Sequence, residues 1–159
     1  MSVADGFLET RLHANDEATL WIVADLLHDE AFELSGLRFD SDSRTVTIPV
    51  RRMWHSGPER LRKWRLLFSE YEKDWMRSQV TIHRVRSWRP HDDQGIDGYT
   101  FNSWRYADGT LRVSSNERMT LEFNVDRIDV DMEDVGFSGK ARFRRLLLIV
   151  ESSTATVYE

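Results

Sequence analysis

The residues best suited to chemistry are His91, Asp92 and Asp93, which precede Gly95 in a segment that reads as a loop. Two adjacent carboxylates beside an imidazole could hold a hard divalent cation or move a proton. Asp126, Asp129, Asp131, Glu133 and Asp134 could add oxygen ligands. The spacing matches neither an EF-hand loop nor H-E-x-x-H. A His-Asp-Asp run is also ordinary turn chemistry, so His91, Asp92 and Asp93 are weak metal candidates and no cofactor is expected. A second pair, His28-Asp29, follows Leu26-Leu27. Asp29 could orient His28 for proton transfer. The simpler reading is that the pair ends a helix, with Asp29 satisfying nearby backbone N–H groups.

Nothing else assembles a catalytic set. His13, His55 and His83 lie in separate segments with no matched spacing. Ser56-Gly57 and Ser138-Gly139 are not in a Gly-X-Ser-X-Gly elbow. There is no Gly-rich phosphate loop. Cysteine is absent, which removes disulfides, thiolate ligands and thiol nucleophiles together. No catalytic residue is assigned, and the balance leans away from an enzyme.

Charge is a stronger signal than any motif. The chain carries a net −5, but residues 1–50, 51–90, 91–140 and 141–159 carry −7, +7, −6 and +1. The basic stretch also holds four of the six tryptophans, Trp54, Trp64, Trp75 and Trp88. Arginines interleaved with aromatics suit phosphates and stacked bases. On this reading Arg51, Arg52, Arg84, Arg86, Trp88, Arg89 and Trp104 form a basic-aromatic surface, with Arg60, Arg62, Lys63 and Arg65 nearby. The competing reading places basic strands beside acidic ones as cross-strand ion pairs, with Asp129, Asp131 and Glu133 the obvious partners. That arrangement needs no ligand and is preferred. Trp64 and Trp75 are expected in the core, and Trp88 and Trp104 at its edge.

The elements that position these residues are mostly strands. Residues 16–27 form a helix, with Asn15 as its cap and Leu20, Val23, Ala24 and Leu27 on one face. Phe32 to Phe39 and Thr45 to Val50 make a hairpin around Asp40–Ser43. Pro49 implies an edge strand or a bulge. Leu61, Trp64, Phe68, Tyr71 and Trp75 follow helical spacing behind a Ser56/Glu59 capping box, so residues 57–75 read as a second helix, with a shorter strand alternative. Gln79 to Arg89 is a strand, bulged near Val85. Tyr99–Tyr106 and Leu111–Ser114 flank an Asp-Gly hairpin turn. Met119 to Val125 alternates cleanly, then shifts phase into Ile128, Val130 and Met132. Gly136 and Gly139 mark a turn before a last strand, Ala141 to Glu151. Arg144, Arg145 and Glu151 flank the aliphatic run Leu146–Val150 as gatekeepers.

The expected fold is α+β and mainly β. It is an antiparallel sheet or barrel-like sandwich of about eight strands with one or two helices, in a single domain over residues 1–159. The N-terminus lacks a basic, then apolar, secretory pattern, and no aliphatic run approaches the ~20 residues of a membrane helix. A cytoplasmic, membrane-free protein is expected.

The helix, then Leu27-His28-Asp29, then the hairpin from Leu37-Arg38-Phe39-Asp40 to Thr45-Val46-Thr47-Ile48 resembles a group of small bacterial β-rich proteins. These carry a Leu-His-Asp signature and include proteins grouped with the immunity proteins of contact-dependent toxin systems. The resemblance covers about residues 16–50, while segment 51–90 and the strand after Gly139 depart from it. It implies a non-enzymatic binding domain, and the lack of a catalytic set in a charge-segregated, tryptophan-rich chain makes a protein partner the leading reading. A nucleic-acid-binding module using residues 51–90 and a metal-dependent enzyme using His91, Asp92 and Asp93 are the alternatives.

Overall fold

The computed structural model describes residues 10–54, 59–64, 68–146 and 156–158. His55, Ser56, Pro58, Arg65 and the run from Leu147 to Glu151 lie outside the described residues.

The helix is α1, Glu17–Leu27. Its cap is Asp16 rather than Asn15. The Asp16 side chain accepts from Thr19 N at 2.7 Å, while the backbone N–H of Asp16 donates to Thr19 Oγ1 at 3.2 Å. This reciprocal box satisfies two orphan donors at once, which Asn15 alone would not do. Leu20, Val23 and Leu27 are the buried face.

The strands, among the described residues, are β1 (Arg11–Ala14), β2 (Ala31–Glu33), β3 (Arg38–Asp40), β4 (Thr45–Met53), β5 (Arg60–Trp64), β6 (Phe68–Ile82), β7 (Val85–His91), β8 (Gly98–Ala107), β9 (Thr110–Ser115), β10 (Thr120–Val125), β11 (Val130–Leu146) and β12 (Thr156–Tyr158). They form one sheet in the order β1-β11-β6-β4-β2-β8-β9-β10-β7, with β3 on β4, β5 on β6 and β12 on β11. These pairings are antiparallel. The mainly β, antiparallel expectation holds, but the described residues form twelve strands rather than about eight.

Three local readings change for physical reasons. Residues 60–64 and 68–75 are strand, not helix. Their apolar residues fall at helical spacing, yet Leu61 and Trp64 stay exposed and no apolar helical face is buried. Gly136 and Gly139 do not turn the chain. They sit at register shifts inside the 17-residue β11, with φ of 146° and 143° that glycine tolerates best. The strand read over residues 79–89 is two strands, although a register shift between the pairs Asn124–Ser87 and Val125–Val85 does place a bulge beside Val85. The first ends at Ile82, and the chain turns through His83 and Arg84, where Arg84 has φ 59°.

That corner shapes the molecule. β6 reaches β7 through two residues, yet the sheet path between them runs through β4, β2, β8, β9 and β10. The sheet therefore curls back on itself. At the start of β7, Val85 N donates to the O of Arg44, just before β4, at 2.9 Å. The curl and α1 enclose one core that includes Val23, Ile48, Val80, Phe101, Phe123 and Met132. Pro49 lies inside the sheet without breaking it. On its far side, β2 pairs residues 50 and 51 of β4 and β3 pairs residues 45–47, so the missing N–H faces the gap between them.

The long strands β6 and β11 continue past this core. Together with β5 and β12 they form a ribbon built from residues 60–64, 68–75, 137–146 and 156–158. Among the described residues no helix is long and apolar enough to cross a membrane.

Candidate binding surfaces

The Leu-His-Asp signature forms the exit from α1. Leu27 is fully buried, and His28 is the C-terminal cap residue. Asp29 adopts φ 64°, donates its N–H to Phe101 O at 2.8 Å and accepts from Asn116 Nδ2 at 2.8 Å. His28 Nδ1 lies 3.0 Å from Asp29 Oδ1, and both side chains are exposed. These contacts fix the chain's entry into β2.

His91 ends β7 and contacts Glu122 at 3.0 Å. Asp92 caps its own turn, accepting from Gln94 N and Gly95 N at 3.0 Å each. Asp93 is exposed. Among the described residues no group of three or more His, Asp or Glu side chains is placed to hold a metal ion.

The arginines of segment 51–90 are divided among different environments. Arg52 is buried and makes a two-pronged pair with Asp134, Nε to Oδ1 at 2.9 Å and Nη2 to Oδ2 at 2.5 Å. Ser78 Oγ and Thr10 N complete the carboxylate's partners. Burial pushes the Asp134 carboxyl up, but Arg52 and Ser78 outweigh it and hold the group below the usual range. Arg84 pairs with Asp129 at 3.0 Å, Arg86 with Asp126 at 2.9 Å, and Arg89 with Glu122 at 2.8 Å. Trp88 stacks on Phe123 and Trp104 packs on Phe101 inside the core. The acidic partners come from residues 122–134, as cross-strand pairing requires.

Arg51 is different. It stands directly opposite Arg77 in the β4–β6 register, and Arg77 in turn stands opposite Gly136 of β11. On the other side Arg51 is opposite Ala31 of β2, itself opposite Thr100 of β8. One row across five strands therefore reads Gly136, Arg77, Arg51, Ala31, Thr100. Arg51 and Arg77 are exposed, and among the described residues neither lies within salt-bridge distance of a carboxylate. The Arg51 guanidinium sits 5.5 Å from the ring centre of Trp75, its diagonal neighbour. These residues line a groove of about 760 Å³ with Gln79, Ser138 and Lys140, and with Glu33 and Glu117 toward β2 and β8.

Sequence reasoning found Arg51 but passed over Arg77, Gly136 and Lys140. The available signal was phase: Arg51 and Arg77 both alternate with buried residues on their strands. Which strands lie side by side is not written in that alternation.

The ribbon is the other candidate surface. At its centre Glu72 meets four cations, Arg60 and Arg62 at 3.1 Å, Lys140 at 3.4 Å and Arg142 at 4.0 Å. Arg144 and Arg145 cover the rings of Phe68 and Tyr71. Outside this set, Leu61 is 55% and Trp64 66% exposed. Among the described residues no strand pairs with the outer edge of β5.

No family model matches the chain, and neither curated proteins nor solved structures give a significant match.

Proposed function

We propose that the protein is a non-catalytic binding domain that engages a protein partner through the ribbon, in the manner of an immunity-like protein. The observation that supports this is the outer strand β5. It combines an edge that no strand pairs among the described residues, two exposed apolar side chains and the exposed cations Arg62 and Lys63. A partner strand can hydrogen-bond to such an edge and gain specificity from alternate side chains. Exposed tryptophan is a frequent anchor at protein interfaces.

The test is a photo-crosslinking side chain placed at Trp64, with Arg105 on the exposed side of β8 as the control position. The expected result in the native host is one discrete covalent adduct from Trp64 and none from Arg105. Equal labelling from both positions, or no adduct from Trp64, contradicts the reading. A hydrolytic activity abolished by His28→Ala or His91→Ala would contradict the non-catalytic part.

A further inference from the structure

We propose that the groove centred on Arg51 and Arg77 binds the phosphate monoester of a small molecule. Arg51 stands directly opposite Arg77, an arrangement that carries an electrostatic cost. Like charges directly opposite on neighbouring strands are destabilising. Elsewhere on this sheet the basic residues Arg84, Arg86, Arg89 and Arg112 each meet a carboxylate at 2.8–3.0 Å. Arg105 also stands opposite Arg112, but there Glu122 pairs with Arg112; at Arg51 and Arg77 neither member has a carboxylate within salt-bridge distance among the described residues.

The surroundings make room for a ligand at that point. Gly136 and Ala31 flank the two arginines in the same row, so no large side chain fills the space beside them. A Cβ on Gly136 would approach Arg77 Nη2 to 3.7 Å, so the guanidinium lies over bare backbone. Gly139, the second bulge glycine, is opposite Trp75. Trp75 orients Arg51 through its ring face, and its Nε1 is buried with no acceptor among the described residues. The volume of about 760 Å³ is in the range of small-molecule sites.

Chemistry selects the ligand class. Two arginines directly opposite in register and lining one groove offer forked donors that match tetrahedral oxyanions. A phosphate monoester brings about −1.5 to −2 charges on one centre, enough to neutralise both. A phosphodiester brings only one charge, and a nucleic-acid backbone needs a track of unpaired cations. Arg84, Arg86 and Arg89 are already paired and supply no such track. A dicarboxylate spreads its two charges over separate centres. Lys140 stays with Glu72, and Glu117 with Thr100, so the anion belongs at the Arg51–Arg77 end.

The experiment is calorimetric titration of the full chain with phenyl phosphate, inorganic phosphate, dimethyl phosphate and succinate at low salt. The expected result is saturable one-site binding of phenyl phosphate, weaker binding of inorganic phosphate, and tenfold or greater loss in Arg51→Met and Arg77→Met. Arg89→Met keeps the wild-type affinity. The proposal is overturned if the wild-type protein gives no saturable binding at millimolar phenyl phosphate, which requires no variant to fold. It is also overturned if both arginine variants bind normally, or if dimethyl phosphate or succinate binds as tightly.

Discussion

Arg51 and Arg77 face each other across β4 and β6, with no carboxylate within salt-bridge distance of either among the described residues. Their mutual repulsion is a cost carried by the empty protein. Removing one charge should therefore stabilise it. Arg77→Met is expected to raise the midpoint of thermal unfolding in phosphate-free, low-salt buffer, by an increment matching ~0.2–1 kcal/mol. The gain should shrink in high salt, because both groups are exposed and screened. Thermal melts of both proteins at two salt concentrations check this.

The buried pair of Arg52 and Asp134 makes the opposite prediction. Replacing Arg52 with Met strands a buried carboxylate whose partners Ser78 and Thr10 cannot neutralise it. Breaking a buried pair on one side costs about 3–5 kcal/mol, whereas replacing both partners with apolar residues is often close to neutral. Denaturant unfolding of Arg52→Met should show a loss of that size. The double variant Arg52→Met/Asp134→Leu should recover most of it.

Glu122 makes stability depend on acid pH. Hydrogen bonds from His91, then Arg89 and Arg112, hold its carboxyl down to about 2 from an ordinary 4.5. A depressed folded-state value stabilises the fold above the unfolded value and loses that contribution as pH falls through the folded one. The window runs from about pH 4.5 down to about pH 2. Glu122→Gln should be less stable than wild type at pH 7, and the difference should narrow across that window. Unfolding curves at pH 7, 4 and 2.5 measure it.

The parts of the fold that could be read from the sequence are those where one face of a strand meets the core. β8, β9 and β10 alternate because Phe101, Val113, Leu121 and Phe123 are buried between exposed or half-buried neighbours. Asp108-Gly109 fixed its hairpin because both residues take positive φ, 50° and 75°. The ribbon is not legible as strand because it leaves the core. Ser69 and Glu72 are its buried positions on β6, while Leu61 and Trp64 are open to solvent. With charge pairs in place of an apolar face, periodicity loses its meaning there. The charge segregation was visible along the chain, and the pairing of Arg84 with Asp129 and of Arg86 with Asp126 gives it a spatial form. The juxtaposition of Arg51 with Arg77 was not legible, because it depends on the register between β4 and β6.

The ribbon contacts also predict a separation of stability from binding. Leu61 and Trp64 are exposed, so Leu61→Ser and Trp64→Ala should each change folding stability by no more than ~0.5 kcal/mol. Either change should weaken partner capture. Thermal melts read beside adduct yield distinguish these effects.

In the proposed function β5 seats a partner strand. Amide hydrogen exchange across Arg60–Trp64, in the isolated protein and in its crosslinked or co-purified complex, tests it most directly. Strong new protection of β5 amides is expected in the complex, with β7 and its ion pairs unchanged. Protection confined to another surface, with β5 exchanging as in the isolated protein, would contradict the proposed function.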